Sequence, residues 1–411
     1  MTQILRWVYV QQLPLRLNKS PLTNKRQTQI CCIHFKMKKI ILALLVFKLL
    51  IVNSLFAQMS LENGQPATDS SFIIHHSPFN TPLSINALNP SFSPSVFEKQ
   101  AVKPNRFTDL LTPSDTFNRR RFIFLVGTGV TSYVTAIVLL QNLWYAGYPQ
   151  SRFHWFNDNG EWLQMDKVGH IISAYQAGEW TYGGMRWTGM KNKNAAWFGI
   201  AVGMAFQTTI EIMDGFSSEW GFSWGDMAAN TTGCALFGVQ QAVWDEQRIV
   251  VKVSNTPRNY PLTTINSIDG KTTTRLRDRT DDLYGNNYTQ TFFKDYNQMV
   301  IWFSANPKSF FKDSRLPAWL NVAVGYGAEN MYGGYANEWP ASPKQPVFRL
   351  SDIEYPRYRQ FYLSLDIDLS RVKTKSKFVN ALARTFNFVK IPAPSLEFNT
   401  LGKFKFHPLM W

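Results

Sequence analysis

Three short polar signatures interrupt an otherwise apolar part of this chain: Asp166-Lys167-x-x-His170, Glu211-x-x-Asp214, and Ser223-Trp224-Gly225-Asp226-x-x-x-Asn230. Carboxylates, a histidine and a lysine are costly to bury, so among apolar helices they are either paired for stability or poised for chemistry. In the chemical reading, His170, Glu211 and Asp226 do acid/base work on a lipid-linked or cell-wall substrate, in a hydrolase or transferase. Asp166, Lys167, Asp214, Ser223 and Asn230 then serve as substrate or network partners. His170, Glu211, Asp214 and Asp226 also offer hard and borderline donors suited to a divalent ion, although nothing in the spacing specifies a metal or cofactor. The structural reading makes the same residues an interhelical network: Lys167 neutralises a carboxylate, Ser223 and Asp226 cap, and Asn230 bridges to backbone. There is no His-Glu-x-x-His, phosphate loop or Gly-x-Ser-x-Gly, so metalloprotease, nucleotide-binding and nucleophile-elbow chemistry have no support.

The residues are set on helix-like stretches. Residues 167–186, only partly apolar, and the apolar stretches 194–213 and 224–244 read as helices, and the signatures fall at their ends. Asp166 precedes His170 by four residues, so its carboxylate is expected to hold one ring nitrogen, and at the helix start it is favoured by the dipole and is an expected cap. Glu211 and Asp214 share a face, as do Asp226 and Asn230, and Ser223 is an expected cap. Residues 122–145 contain no charged side chain and are long enough to span a bilayer, with Trp144 and Tyr145 suited to an interface. Arg119–Arg121 would then lie on the exported side, against the positive-inside preference, and a monotopic or buried helix avoids that conflict. Gly199, Gly203, Gly233 and Gly238 allow close helix approach, so a compact helical bundle is expected. Cys234 reads as a small core residue.

The ordered stretch from Asp166-Lys167-Val168-Gly169-His170, through Glu211-Ile212-Met213-Asp214-Gly215-Phe216-Ser217, to Gly221-Phe222-Ser223-Trp224-Gly225-Asp226-Met227-Ala228-Ala229-Asn230-Thr231-Thr232-Gly233 resembles the YfiM-like family of predicted periplasmic lipoproteins. It is more distantly similar to VanZ-like membrane proteins, some of them linked to glycopeptide-antibiotic resistance. The resemblance covers about residues 160–245. It implies an envelope location and a helical architecture, and brings no activity with it.

The rest of the chain bounds the setting. Of its 411 residues, 45% are hydrophobic, 15% aromatic and only 17% charged, a balance that favours membrane association. The net charge of +15 is concentrated at one end: residues 1–57 hold nine of the 43 Lys and Arg and none of the 28 acids, leaving +6 for 58–411. A nucleic-acid partner therefore loses its support, and membrane lipids or envelope proteins are the expected partners. Lys38-Lys39, the apolar run from Ile40 to Phe56 and the small Ala57 make a secretory signal, with residues 1–36 an upstream extension. No cysteine closely follows that run, so no lipid attachment is expected there. Cys31 and Cys32 fall in the removed part.

Residues 58–118, rich in Ser, Pro and Asn, read as a disordered leader, and 119–250 as the helical bundle carrying the polar residues. Residues 251–297 read as a polar linker. From residue 298 the period changes to two. Phe361, Leu363, Leu365, Ile367 and Leu369 share one face, and short strands near 395–399 and 403–407 are expected. There are too few strands for a full barrel, so a small sheet with an apolar membrane-facing side is expected. The Gly-rich run 325–335 reads as a strand and a tight loop, with a glycan platform as the alternative. Lys373, Lys375, Lys377, Arg384 and Lys390 lie on or beside a basic amphipathic helix over 373–388, which either binds anionic head groups or is simply solvated. Together these give an α+β chain, a membrane-associated helical bundle followed by a smaller β-rich C-terminal domain. It is expected in the cell envelope on the periplasmic side, membrane-associated and with the outer membrane as one candidate. The leading expectation is a structural or assembly component.

Overall fold

The computed structural model describes residues 112–145, 148–340 and 347–411. The signal segment, Cys31, Cys32 and nearly all of the leader lie outside these residues, as does the Trp144 side chain. The fold is α+β: long helices come first and an antiparallel sheet follows.

Four long helices open the described chain: α1 (Arg119–Leu140), α2 (Met165–Trp187), α3 (Asn192–Gly215) and α4 (Trp224–Trp244). Asn118 caps α1 by accepting from the amides of Arg120 and Arg121, and Ser223 caps α4 by accepting from Asp226 N–H at 3.1 Å. A short π-helical turn, Gln141–Tyr145, ends α1. α2, α3 and α4 pack at close range because glycines remove side chains from the contact. A Cβ placed on Gly199 would lie 2.6 Å from the Gly178 carbonyl oxygen, so no larger residue fits without separating α3 from α2. α1 lies on the outside, touching through Leu125 on Gly184 and through Tyr133 bonded to Thr209 at 2.5 Å. Cys234 is buried and free, as its apolar setting implied.

The sheet has six strands in the order β1 (Ile249–Asn255), β4 (Met299–Ala305), β5 (Leu320–Glu329), β8 (Tyr358–Ile367), β9 (Ala393–Asn399) and β10 (Phe404–Met410), all neighbours antiparallel. Tyr175, Tyr182 and Phe237 from the helices join Val251 and Ile301 from β1 and β4 in one core, so the sheet is docked to the helices at that edge. The far edge curls back: Met410 packs against the buried cluster of Val300, Trp302, Ala323 and Tyr362, and the Thr256 hydroxyl donates to the Trp411 carbonyl at 3.4 Å. Pro408 sits in β10, at the end of the strand order, where a missing amide is tolerated.

The polarity of this sheet is inverted. On β8, Gln360, Tyr362, Ser364 and Asp366 are buried while Phe361, Leu363 and Leu365 are exposed. The register carries that division across the strands: Val324 faces Leu363, Leu363 faces Leu396, and Leu396 faces Phe406 on the outer side. Inside, Lys252 and Asp366 form a fully buried ion pair at 2.8 Å, with Lys390 at 3.9 Å from the other carboxylate oxygen. Gly325 is required here because the Trp302 ring lies 2.7 Å from where its Cβ would stand.

Two expectations change. Residues 251–297 are not a plain linker: they hold the end of β1, the hairpin β2 (Thr264–Asn266) and β3 (Thr273–Arg275), α5 (Leu276–Tyr284) and α6 (Tyr288–Lys294). Ile265 and Leu276 form a second core with Tyr332, Trp339 and Phe348, the last two from the hairpin β6 (Glu338–Pro340) and β7 (Val347–Arg349), so scattered apolar residues drive folding there despite the polar average. The basic helix is shorter than its pattern, Lys377–Thr385, because Ser376 caps it. Lys390 lies beyond that helix, fully buried with its ammonium donating to the Leu365 and Ile391 carbonyls. It is therefore not part of a surface for anionic groups.

Candidate polar site

The site begins with a strained entry into α2. A 3₁₀ turn, Glu161–Gln164, leads into the helix with Trp162, Leu163 and Gln164 all in the left-handed region (φ 47, 50 and 62). Side chains other than glycine disfavour that conformation by on the order of 1 kcal/mol each, so surrounding contacts must hold it. They do: Trp162 N–H donates to Gly334 at 2.8 Å, the Leu163 carbonyl accepts from Tyr326, and Arg359 donates to Gln164 at 2.6 Å. This entry fixes the first turn of α2 against the C-terminal domain.

From that turn Lys167 reaches three carboxylates. Its ammonium is 2.6 Å from Asp226 Oδ1, 2.8 Å from Asp158 Oδ1 and 3.2 Å from Asp166 Oδ2. His170, one turn on, donates its Nδ1–H to Asn230 Oδ1 at 3.0 Å. Its Nε2 stands 3.8 Å from Asp166 and 3.7 Å from Asp226, and Nδ1 is 3.6 Å from Glu211 Oε1. Glu211, fully buried at the end of α3, accepts the Ser223 amide at Oε2, 3.2 Å away. The Ser223 hydroxyl donates to Asp158 at 2.6 Å while capping α4. Asp166, Lys167, His170, Glu211, Ser223, Asp226 and Asn230 therefore converge.

Some details differ from expectation. Asp166 does not cap α2, whose start at Gln164 has no side-chain cap; its carboxylate accepts from Tyr296 at 2.9 Å and only approaches His170. Asn230 bonds the imidazole and not backbone. Asp214 stands to one side, accepting from Tyr145 at 2.6 Å. Asp158, Tyr145, Tyr296 and Glu161 are the partners that sequence spacing missed. Tyr296 is 130 residues from Asp166, and Asp158 sits in an Asn-rich turn with no periodic relation to any helix.

The charge balance is uneven: Asp158, Asp166, Asp226 and Glu211 all lie within 4 Å of Lys167 or His170, while Glu161 and Asp214 form no ion pair among the described residues. Burial and the neighbouring Asp158 and Asp166 push the Glu161 carboxyl up to about 7. At Asp158 burial acts upward too, but hydrogen bonds with Asp226, Lys167 and Ser223 hold it below the usual carboxylate range. One donor atom each from Asp166, His170 and Asp226 lies within 4.8 Å of the others, a spacing that could close on a small divalent ion. The Lys167 ammonium already supplies positive charge at that spot. Glu211 Oε1 and Asn230 Nδ2 are buried without a hydrogen-bond partner among the described residues.

Residues 154–241 match the family model described as "Predicted periplasmic lipoprotein (DUF2279)". The match takes in all three signatures and Asp158, and stops before the sheet. No curated protein and no solved structure matches the chain.

Proposed function

We propose that this is an exported cell-envelope protein embedded in a membrane, the outer membrane being the best fit, where it acts as a structural or assembly component. The observation that carries the reading is the inverted sheet. A water-soluble sheet buries its apolar face, whereas this one encloses Lys252, Asp366 and Glu397 and turns Phe361, Leu363, Leu365, Leu396 and Phe406 outward, the alternation of an outer-membrane strand. The helices agree in kind. α1 and α3 are long and apolar enough to cross a membrane by length and composition. The 21 residues of α4 cover roughly 30 Å, the depth of a hydrocarbon core. At the start of α4 the exposed Trp155 and Trp224 stack at 5.3 Å, as suits an interface. An envelope location is also what the matched family description supports. The resemblance of the three signatures to YfiM-like proteins, and the more distant one to VanZ-like proteins, belongs to this same reading.

Outward charge tests it. Leu363→Arg is expected to cost about 2–4 kcal/mol of stability in lipid, since an arginine at mid-depth on the outer face is that unfavourable. At an exposed site in water the same change stays within about 0.5 kcal/mol. Unfolding of the full chain in vesicles compares the two, and an unaffected Leu363→Arg variant, or wild-type protein recovered in the soluble fraction, would defeat the embedding.

A second reading, a hydrolase or transferase acting on lipid or cell-wall material, rests on the unpartnered Glu211 Oε1 aimed at His170. In that reading Glu211 and His170 exchange a proton with substrate, and Asp226 and Asp166 bind it. Glu211→Gln and His170→Ala are then expected to abolish the cellular function at unchanged abundance. Loss of the protein itself in both variants would assign the residues to the network alone.

A further inference from the structure

The two polar ends of the molecule differ in charge. One end is built where α1 begins, α2 gives way to α3, α4 ends and β4 leads to β5. Named contacts tie these pieces together. Asn118 N–H donates to Thr188 at 2.7 Å, Asn192 bonds Asp245 at 2.9 Å, Trp244 packs edge-on against Phe310, and Arg371 reaches Glu246 and Ser309. Around this ring the exposed cations accumulate. Arg119 and Arg120 start α1, and Lys191 and Lys193 flank the start of α3. Lys312 and Arg315 lie before β5, and Lys373, Lys375 and Lys377 lead into the short basic helix. None of these nine forms an ion pair among the described residues.

The acids of this end are largely engaged elsewhere: Asp245 accepts from Asn192 and Gln241, Glu246 pairs with Arg248 and Arg371, and Asp368 with Arg371. Asp115 and Asp313 are the exposed acids that remain. The opposite end is more nearly balanced, although Arg152, Lys403 and Lys405 are exposed there without an ion pair among the described residues. Lys167 is shared among carboxylates there, and Arg275, Arg277 and Arg279 are each matched by an aspartate on α5. Large exposed apolar side chains, Phe311, Trp319 and Phe378, stand among the free lysines. Aromatic rings beside unpaired lysines at the margin of an apolar surface are what an interface with charged head groups selects.

We propose that this basic end is the binding surface for anionic phospholipid head groups, and that it sets the orientation of the protein, with the Lys167–His170 site at the opposite side of the bilayer. The inference rests on the membrane reading above and deepens it by naming the lipid class. Each lysine or arginine near an anionic surface contributes about fivefold, and salt screens it.

The test uses the purified full chain, moved from detergent into preformed vesicles of phosphatidylcholine alone or mixed with phosphatidylglycerol, and read by flotation. Insertion into the anionic vesicles is expected to exceed that into neutral ones by about tenfold or more at low salt, and to approach it at high salt. Replacing Lys312, Arg315, Lys373, Lys375 and Lys377 together by Gln is expected to remove the preference while leaving neutral-vesicle insertion and thermal unfolding unchanged. Equal insertion of the wild type into both vesicles would overturn the head-group proposal and leave the embedding intact. No insertion into either would overturn both. A five-Gln variant that keeps the full preference would show that these cations are not the binding surface.

Discussion

Asp366→Ala should leave the sheet unable to hold its fold. Asp366 is the only carboxylate within ion-pair distance of Lys252, at 2.8 Å, and of Lys390, at 3.9 Å, and all three side chains are fully buried among the described residues. Its Oδ2 also accepts the Ser304 hydroxyl at 2.6 Å, and its Oδ1 the Ile391 amide at 3.3 Å. Deleting the carboxylate strands two ammonium groups in a closed interior, and removing one partner of a buried ion pair costs about 3–5 kcal/mol. The lysines keep their bonds to the Ile367, Leu365 and Ile391 carbonyls, which lowers the cost without supplying a counter-charge. Chemical unfolding in detergent would show the loss directly. A variant within about 1 kcal/mol of wild type would mean that water or an anion enters the sheet interior and takes over the carboxylate's part. Removing all three charges together, Lys252→Met with Asp366→Leu and Lys390→Met, should be tolerated far better than Asp366→Ala alone, because it leaves no orphaned charge.

Lys167→Met is expected to be the most damaging change in the helical part. The ammonium is the shared partner of Asp158, Asp166 and Asp226, and its removal leaves three carboxylates facing one another at the junction of α2, α4 and the preceding loop. A loss of about 3–5 kcal/mol is expected, again from unpaired buried charge. Lys167→Met combined with Asp226→Asn should recover part of that loss, since one of the uncompensated charges goes with it, and the coupling is read from a double-mutant cycle. No recovery would mean that the lysine acts through its packed stem and not through its charge. Glu211→Gln provides the contrast. It keeps the shape and the bond from Ser223, so an abundant, folded but inactive Glu211→Gln variant would point to chemistry and not to architecture.

Much of this could be read along the chain. The four helical stretches, the change to period two after residue 298, the cap at Ser223 and the burial of Cys234 all follow from local pattern, which depends only on neighbours in sequence. The polar residues were legible for the same reason: a charged side chain in an apolar helix is conspicuous. The partners that complete the site were not. Asp158 and Tyr296 reach it from a turn and from the C-terminal domain, and no spacing rule links them to Asp166 or Lys167. The folded hairpin and helices within 251–297 were hidden because their few apolar residues, Ile265 and Leu276 among them, find each other only through Tyr332, Trp339 and Phe348, far along the chain.

The β8 alternation marks the clearest division. Sequence alone determined that Phe361, Leu363, Leu365 and Ile367 alternate with Gln360, Tyr362, Ser364 and Asp366, because successive side chains on a strand point to opposite sides. Leu369, expected on the same face, lies beyond the strand in the turn Leu369–Arg371. The sequence supported an outward apolar face only as an expectation, and did not fix which face is enclosed. That was decided by the tertiary structure: β1 and β4 dock on the helices, the far edge curls back through Met410 and Trp411, and the side that closes is the one holding Lys252 and Asp366. The physical reason is that strand patterning is symmetric between its two faces, whereas curvature and long-range charge pairing are not.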